Sequence, residues 1–572
     1  MTALNPPIND VAAAESPRGL TRGTLVSAAL AVCVAQVALA IPAVLNGLFQ
    51  QDLGTSSSQL TWISDAFLVP VTLLELTFGV LGDLFGRKRL LVGGALLLAV
   101  GEVVAVLTPG MGSSTDTRVF VLWTGQIIAG IGAAALFPTS LAMVAAGTHT
   151  ARHRARSISI WAAALSTGGF VSPVIGGLCA RAAFGNDADA GWRWSFLAVL
   201  VLAVGSAGVS AAFATNSSSP VGRSLDWPGQ ITVAVALFAL LFAVIQGPTS
   251  GWGSGQVIGG FLLAAVTLAL FILVESRSPA PLLRLDLFSN RAFTVAAIVT
   301  VIGMFSFLGT AYDTSIRLSA IQGFTPLKTS IAFVLLNGMA LVLTPVTSGV
   351  LERFNPKWAL GAGFALIGIG DLWLSSISAT DRSIPAIVAP LALVGIGFAL
   401  SVSAVTAVAV NTVPNRLAGM ASGSTSLLRD FGFTLGPAVV GAIALSRAAT
   451  RIHRTLAGDA GLRNALAAFN ASAASAPPAQ QPALHAAIGA VNSGPLGANG
   501  VPATVTLPTG RTIPFNPLKD VAFHALDNAY SLGYVVCGVS ALVAALLALF
   551  ALGGHGPETV ATDEAEPGPI TR

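Results

Sequence analysis

Fourteen apolar stretches follow one another along this chain, broken by short polar turns, and this pattern leaves few folds open to it. A helix rises 1.5 Å per residue, so about 20 apolar residues cross a hydrocarbon layer of roughly 30 Å. The stretches run over 24–49, 59–82, 90–108, 119–146, 157–180, 194–214, 227–247, 255–275, 292–315, 328–350, 357–377, 386–409, 418–446 and 528–553. With 54% hydrophobic and 9% charged residues, the chain has too little polar surface to coat a soluble globule of 572 residues. The expected class is an all-α polytopic membrane protein of 14 transmembrane helices, its two termini on the same side.

The sharpest polar break is Gly79 to Leu91, where Gly86, Arg87, Lys88 and Arg89 join the second and third stretches. Positive charge collects in short cytoplasmic loops, which puts this turn inside the cell. On the same side fall Arg18, Arg22, Arg152, Arg154, Arg156, Arg223, Arg277, Arg284, Arg291, Arg353, Lys357 and Arg416. The short loops opposite carry only Arg118, Arg181, Arg193, Arg317, Lys328 and Arg382, so both tails are expected in the cytoplasm. The basic residues form no stripe that would bind nucleic acid. Cys33, Cys179 and Cys537 lie in apolar runs, no histidine lies inside one, and no P-loop occurs. Neither a cofactor nor a metal nor an enzymatic activity is expected.

In Gly79, Leu81, Asp83, Gly86, Arg87, Lys88 and Leu91 the turn resembles the signature between the second and third helices of the major facilitator superfamily. The resemblance implies two pseudo-symmetric six-helix bundles, and the chain repeats itself accordingly. Gly101-Glu102 recurs as Gly370-Asp371 at an offset of 269, and Gly168-x-x-x-Ser172-Pro173-x-x-Gly176-Gly177 as Gly432-x-x-x-Gly436-Pro437-x-x-Val440-Gly441 at 264. The expected organisation is a cytoplasmic tail (1–23), an N-terminal bundle (24–214), a two-helix insert (227–275), a C-terminal bundle (292–553) and an acidic cytoplasmic tail (554–572). Within the second bundle an Ala-rich extracytoplasmic segment (447–527) is read as a cap. Short helices are expected near 456–470 and 479–491, then a hairpin around Thr509-Gly510.

Ionisable groups inside apolar spans are costly unless they serve a cavity or a partner. Asp65, Glu75 and Asp430 are the candidates for proton coupling; desolvation disfavours a carboxylate at Glu75, near the middle of its span. The segments around Asp65 and Asp430 resemble fourteen-helix drug:proton antiporters of the quaternary-ammonium type, in which a carboxylate at each position matters. For Asp430 the competing reading is a permanent ion pair with Arg429, and for Asp65 a hydrated group near the interface. Glu102 and Asp371 are read as helix–helix hydrogen bonders, and Asp313, near an outer end, as solvated. Gln36, Trp62, Phe67, Gln126, Phe305 and Arg429 are candidates for a substrate cavity. Gln126 stands where the family pattern has a buried Arg, and Cys33 where it has an Asp.

Gly79, Asp83, Gly86, Arg87 and Lys88 are expected to form a gating loop that latches the inner ends of the two halves. Gly168, Pro173, Gly176 and Gly177 resemble the helix-bending signature of exporters, where small residues beside a proline allow close packing and a bend. The function implied is a proton-coupled exporter of amphipathic or cationic organic molecules in the cytoplasmic membrane, a monomer whose partners are substrate, protons and lipid. An exporter of one endogenous metabolite or antibiotic, and a sensor or scaffold that has lost transport, are the alternatives.

Overall fold

The computed structural model describes residues 20–552, apart from 111, 149–150, 186–188, 219–224, 280, 412–417, 476, 479 and 507–509. The tails up to residue 19 and from 553, Arg223, Arg416 and Thr509 therefore lie outside the described residues. Among the described residues fourteen helices are long and apolar enough to cross a membrane. They are span 1 (Arg22–Leu53), span 2 (Ser57–Phe85), span 3 (Arg87–Val106), span 4 (Thr115–Ala146), span 5 (Arg156–Cys179), span 6 (Trp192–Phe213) and span 7 (Trp227–Ser250). There follow span 8 (Gly255–Glu275), span 9 (Arg291–Ile321), span 10 (Pro326–Leu343), span 11 (Pro356–Ser375), span 12 (Ile384–Val405), span 13 (Ser424–Gly458) and span 14 (Lys519–Ala551).

Local chemistry sets several ends. Thr21 caps span 1; Ser56 and Gln59 form a reciprocal capping box before span 2; Ser114 caps span 4 and Thr325 span 10. Span 1 is not one continuous helix: it divides into Arg22–Ala40 and Pro42–Leu53, because Pro42 has no N–H to continue the ladder. The helix bearing span 13 runs from Ala418 to Gly458, about 18 Å beyond the expected end at residue 446. Span 14 likewise begins at Lys519, nine residues early. Residues that the sequence assigns to a separate cap therefore extend two membrane helices.

Spans 1–6 pack together, as do spans 9–14, and spans 7 and 8 pair with each other against spans 2 and 13. The sequence repeat reappears as repeated packing. Gly101 lets span 3 meet the span 4 backbone at Gly125 and Ala129, and Gly370 lets span 11 meet span 12 at Pro390 and Val394. Gly168 brings span 5 against Cys33 and Gln36 of span 1; its counterpart Gly432 brings span 13 against Val301 and Met304 of span 9. A β-carbon at any of these glycines would collide with backbone across the interface.

We call the end of the bundle with the Gly86 turn the basic end, and the opposite one the capped end. The cap comprises helices Ala460–Ala471, Gln481–Asn492 and Pro495–Gly500 and a hairpin in which Thr504–Thr506 pairs antiparallel with Thr512–Pro514, Val505 opposite Ile513. The short helix Pro495–Gly500, which the sequence reading lacks, is buried at Leu496, Ala498 and Asn499.

Candidate functional site

The two halves meet most tellingly where span 2 crosses span 13. Thr72 lies one turn from Glu75, and its hydroxyl is 2.8 Å from that of Thr434 and 3.2 Å from the Asp430 carbonyl it donates to. Arg429 grips Asp430 with two bonds, Nε to Oδ1 at 2.8 Å and Nη2 to Oδ2 at 3.2 Å. Glu75 lies close to this pair, and its Oε2 is buried without a hydrogen-bond partner. Two carboxylates beside one arginine carry one uncompensated negative charge, which a single proton neutralises. Two acids facing one arginine thus hold a neutral cluster with the proton and a net negative one without it. The Arg429–Asp430 ion pair weighed in the sequence reading is present, and Glu75 is added to it.

Asp65, ten residues before Glu75 on span 2, is completely buried and neither oxygen has a partner. A hydrated position near the interface does not describe it. Gln126 on span 4 is also completely buried, its amide nitrogen and oxygen both unsatisfied. Phe67 is buried where the Gly130 backbone closes on it. Gln36 is half-buried against Gly168, and Phe305 against Gly432 and Gly436. Trp62 points elsewhere: its ring packs against Trp123 at 6.4 Å and Phe238 at 5.8 Å, so span 7 of the insert covers it. The insert is anchored beside Glu75 by Gln230, which accepts from Thr77 and donates to the Leu73 carbonyl.

At the basic end Gly86 adopts φ +99, a conformation open to glycine, and a side chain there would strike Asn216. Arg87 donates to Asp83 Oδ1 from Nη2 at 2.6 Å and from Nε at 3.1 Å. The Arg87 amide donates to the Ser217 carbonyl at 2.9 Å and the Lys88 amide to Asn216 Oδ1 at 3.2 Å. These bonds fasten the turn to the segment after span 6, inside its own half. The sequence reading expects the latch across the halves. A β-carbon added at Gly82 would lie 3.5 Å from the Thr139 hydroxyl of span 4, and one at Gly79 3.8 Å from Pro138.

Span 5 divides its small residues between two neighbours. Gly168 and Gly176 face span 1, while Gly177 touches the backbone of Leu327 and Pro326 on span 10 of the other half. Pro173 lies inside this helix, which runs on through it from Ala151 to Cys179.

The bonds that close the capped end lie between span 1 and span 9. Asn46 Nδ2 donates to Ser315 Oγ at 2.8 Å, Ser315 donates to the Ala43 carbonyl, and Gly47 packs on Ser319. Tyr312 hydroxyl is 2.8 Å from that of Thr61 on span 2. The Pro495–Gly500 helix lies across both halves: Gln50 donates to the Leu496 carbonyl, and Asn499 Nδ2 donates to the Ala320 carbonyl at 3.0 Å.

Sequence reasoning misses one carboxylate and misplaces another. Asp52 is a hub at the capped end of the first half, accepting from Arg118, from Arg193 at 3.2 Å and from Trp192 Nε1 at 2.7 Å. Its position at a helix end beside two arginines on the same side was the available signal. Asp313, expected in solvent, is completely buried with neither oxygen bonded. Asp371 does bond between helices, accepting from Thr310 at 2.8 Å and Ser306 at 3.4 Å, whereas Glu102 leaves Oε2 without a partner.

Two packed six-helix halves, with buried carboxylates at their seam and closure bonds at one end, define a membrane transport protein. A profile of the Major Facilitator Superfamily matches residues 26–437, and the chain belongs to that family. It is 31% identical over 394 residues to the multidrug resistance protein Stp of Mycobacterium tuberculosis, covering 69% of this chain and 70% of that one. It is 29% identical over 537 residues to the tetracenomycin C resistance and export protein of Streptomyces glaucescens, covering 93% and 92%. Among solved structures, a bacterial homologue of the human drug peptide transporters PepT1 and PepT2 shares the fold at TM-score 0.54 and 16% identity, over 92% of this chain and 97% of that one.

Proposed function

We propose that this protein exports amphipathic or cationic organic molecules across the cytoplasmic membrane in exchange for protons, acting as a monomer with both tails in the cytoplasm. The carrying observation is buried Glu75 beside the Arg429–Asp430 ion pair where the two halves meet, a cluster that one proton would make neutral. When that proton leaves, the cluster gains a negative charge, which suits a cationic substrate and disfavours the close approach of spans 2 and 13. Rocking of the halves then exposes the cleft alternately, with the capped end as the outer gate, closed here. Asp65 and Gln126 add two unsatisfied polar groups that a substrate or proton can reach as the halves move. Half-buried Phe398 and Phe433, packed around Phe307 with Phe398 stacked at 3.7 Å, suit a flat or aromatic substrate.

A narrower reading, export of one antibiotic, is favoured by the relative that matches nearly the whole chain and is named for a single compound. A panel of organic cations and polycyclic antibiotics separates the two. The purified protein in liposomes with an acidic lumen, so that protons flow outward, is expected to drive accumulation of several members under the broad reading and of one under the narrow reading. Accumulation that ignores the pH step in wild type, or that is equal in wild type, Asp65→Asn, Glu75→Gln and Asp430→Asn, removes the proton assignment.

A further inference from the structure

Span 9 turns one face toward spans 11 and 14, and on it Ser306, Thr310, Asp313 and Arg317 succeed one another at helical spacing. Ser306 and Thr310 donate to Asp371 of span 11. Asp313 instead sits against the span 14 backbone at Gly533, so tightly that a β-carbon there would overlap its carboxyl. The helical amides of span 14 are already bonded within their own ladder, so the seat offers the carboxyl no donor. The charged and titratable groups around Asp313 are Asp371 from span 11, Tyr530, Tyr534 and Cys537 from span 14, Tyr312 and Arg317 from its own helix, and Asp65 of span 2 beyond Tyr312. Among the described residues Arg317 is the cation acting on Asp313, and its guanidinium donates elsewhere, to the carbonyls of Leu374, at 3.3 Å, and Ile377, leaving Nε unbonded. A buried carboxyl with no donor and no paired cation is accommodated as the neutral acid.

The same stretch of span 9 is the outer gate. Ser315, Ser319 and the Ala320 carbonyl carry the contacts to span 1 and to the Pro495–Gly500 helix, and Arg317–Ile321 is wound as a wider π-helical turn, a form common at functional sites. We propose that Asp313 is a proton-binding site of the transport cycle, which must be filled from the outside before the outer gate can close. When the gate opens, Asp313 leaves the Gly533 seat, meets water and Arg317, one turn along its own helix, and releases its proton. The closed state therefore binds this proton more tightly than the open state, and by linkage a rise of one pH unit moves the closed-to-open ratio by up to about tenfold. The inference rests on the antiport reading above and adds a second proton site, separate from the Glu75–Asp430 pair.

Hydrogen–deuterium exchange of the full-length protein in lipid nanodiscs tests it, using peptides spanning 42–56 and 315–325 and correcting for intrinsic exchange between pH 5 and 8. Wild type should lose protection at these peptides as pH rises, by up to about tenfold per unit. Asp313→Asn should stay protected as pH rises, its pH slope well below that of wild type. Asp313→Glu, which keeps a titratable carboxyl but moves it by one methylene, should retain the slope with a shifted midpoint, and it carries the test should the Asn variant not fold. An Asn variant with the wild-type slope, or a Glu variant with the wild-type midpoint, overturns the proposal. A wild type whose gate ignores pH while liposome export still follows the pH step overturns this site alone; loss of pH-driven export overturns the antiport reading with it.

Discussion

Asn499→Ala should loosen the outer gate by an amount that can be worked out in advance. In the closed state Asn499 is buried and its Nδ2 donates to the Ala320 carbonyl at 3.0 Å, tying the cap helix to span 9. Truncation leaves that carbonyl without its partner, at a cost of about 1–3 kcal/mol to the closed state. In the open state water replaces the lost donor, so the open state is little affected. The Asn499 Oδ1 already lacks a partner, so its removal relieves one buried polar atom and places the effect near the lower end, about 1 kcal/mol. That is roughly a fivefold fall in the closed-to-open ratio. Exchange of the 42–56 and 315–325 amides reads this ratio directly when opening is fast, so their rates at fixed pH should rise about fivefold, with amides at the basic end unchanged. Unchanged rates at the capped end would show that the Pro495–Gly500 helix rests on the gate without holding it.

Replacing Asp52 with Asn should destabilise the protein by about 3 kcal/mol, because two buried arginines lose their counter-ion while keeping carbonyl partners at Pro109 and Thr108; denaturant titration in detergent measures it, and Arg118→Gln should recover part of the loss. Glu75→Gln should leave substrate exchange intact but remove the share of accumulation driven by one proton, about tenfold per pH unit of imposed gradient, in liposome assays. Gly177→Leu places a side chain against the Leu327 backbone and should cost the closed form about 1–3 kcal/mol, seen as faster exchange at the span 5 and span 10 amides.

What the sequence determined by itself is the set of constraints imposed by solvent. In hydrocarbon every backbone group must bond within its own segment, so apolar length alone counts the spans, and a duplicated chain must pack its small residues in the same way twice. That is why Gly101 and Gly370, or Gly168 and Gly432, could be paired from spacing and then met equivalent neighbours. The turn at Gly86 was legible for the same local reason: a positive φ beside three cationic residues has little freedom.

Rotation of each helix about its axis is a different matter, fixed by packing against partners far along the chain. From position alone Asp313 looks solvated, and Asp65 could be a proton site or a hydrated group near the interface, yet both are sealed inside. Trp62, equally plausible as a cavity residue, turns to an insert whose docking site no local pattern records. The meeting of Glu75 with Asp430, 355 residues apart, and the reach of Asn499 to Ala320 are decided by how the two halves settle against each other. A charge in a low-dielectric interior answers to whatever lies within a few ångströms, and only the folded chain sets that company.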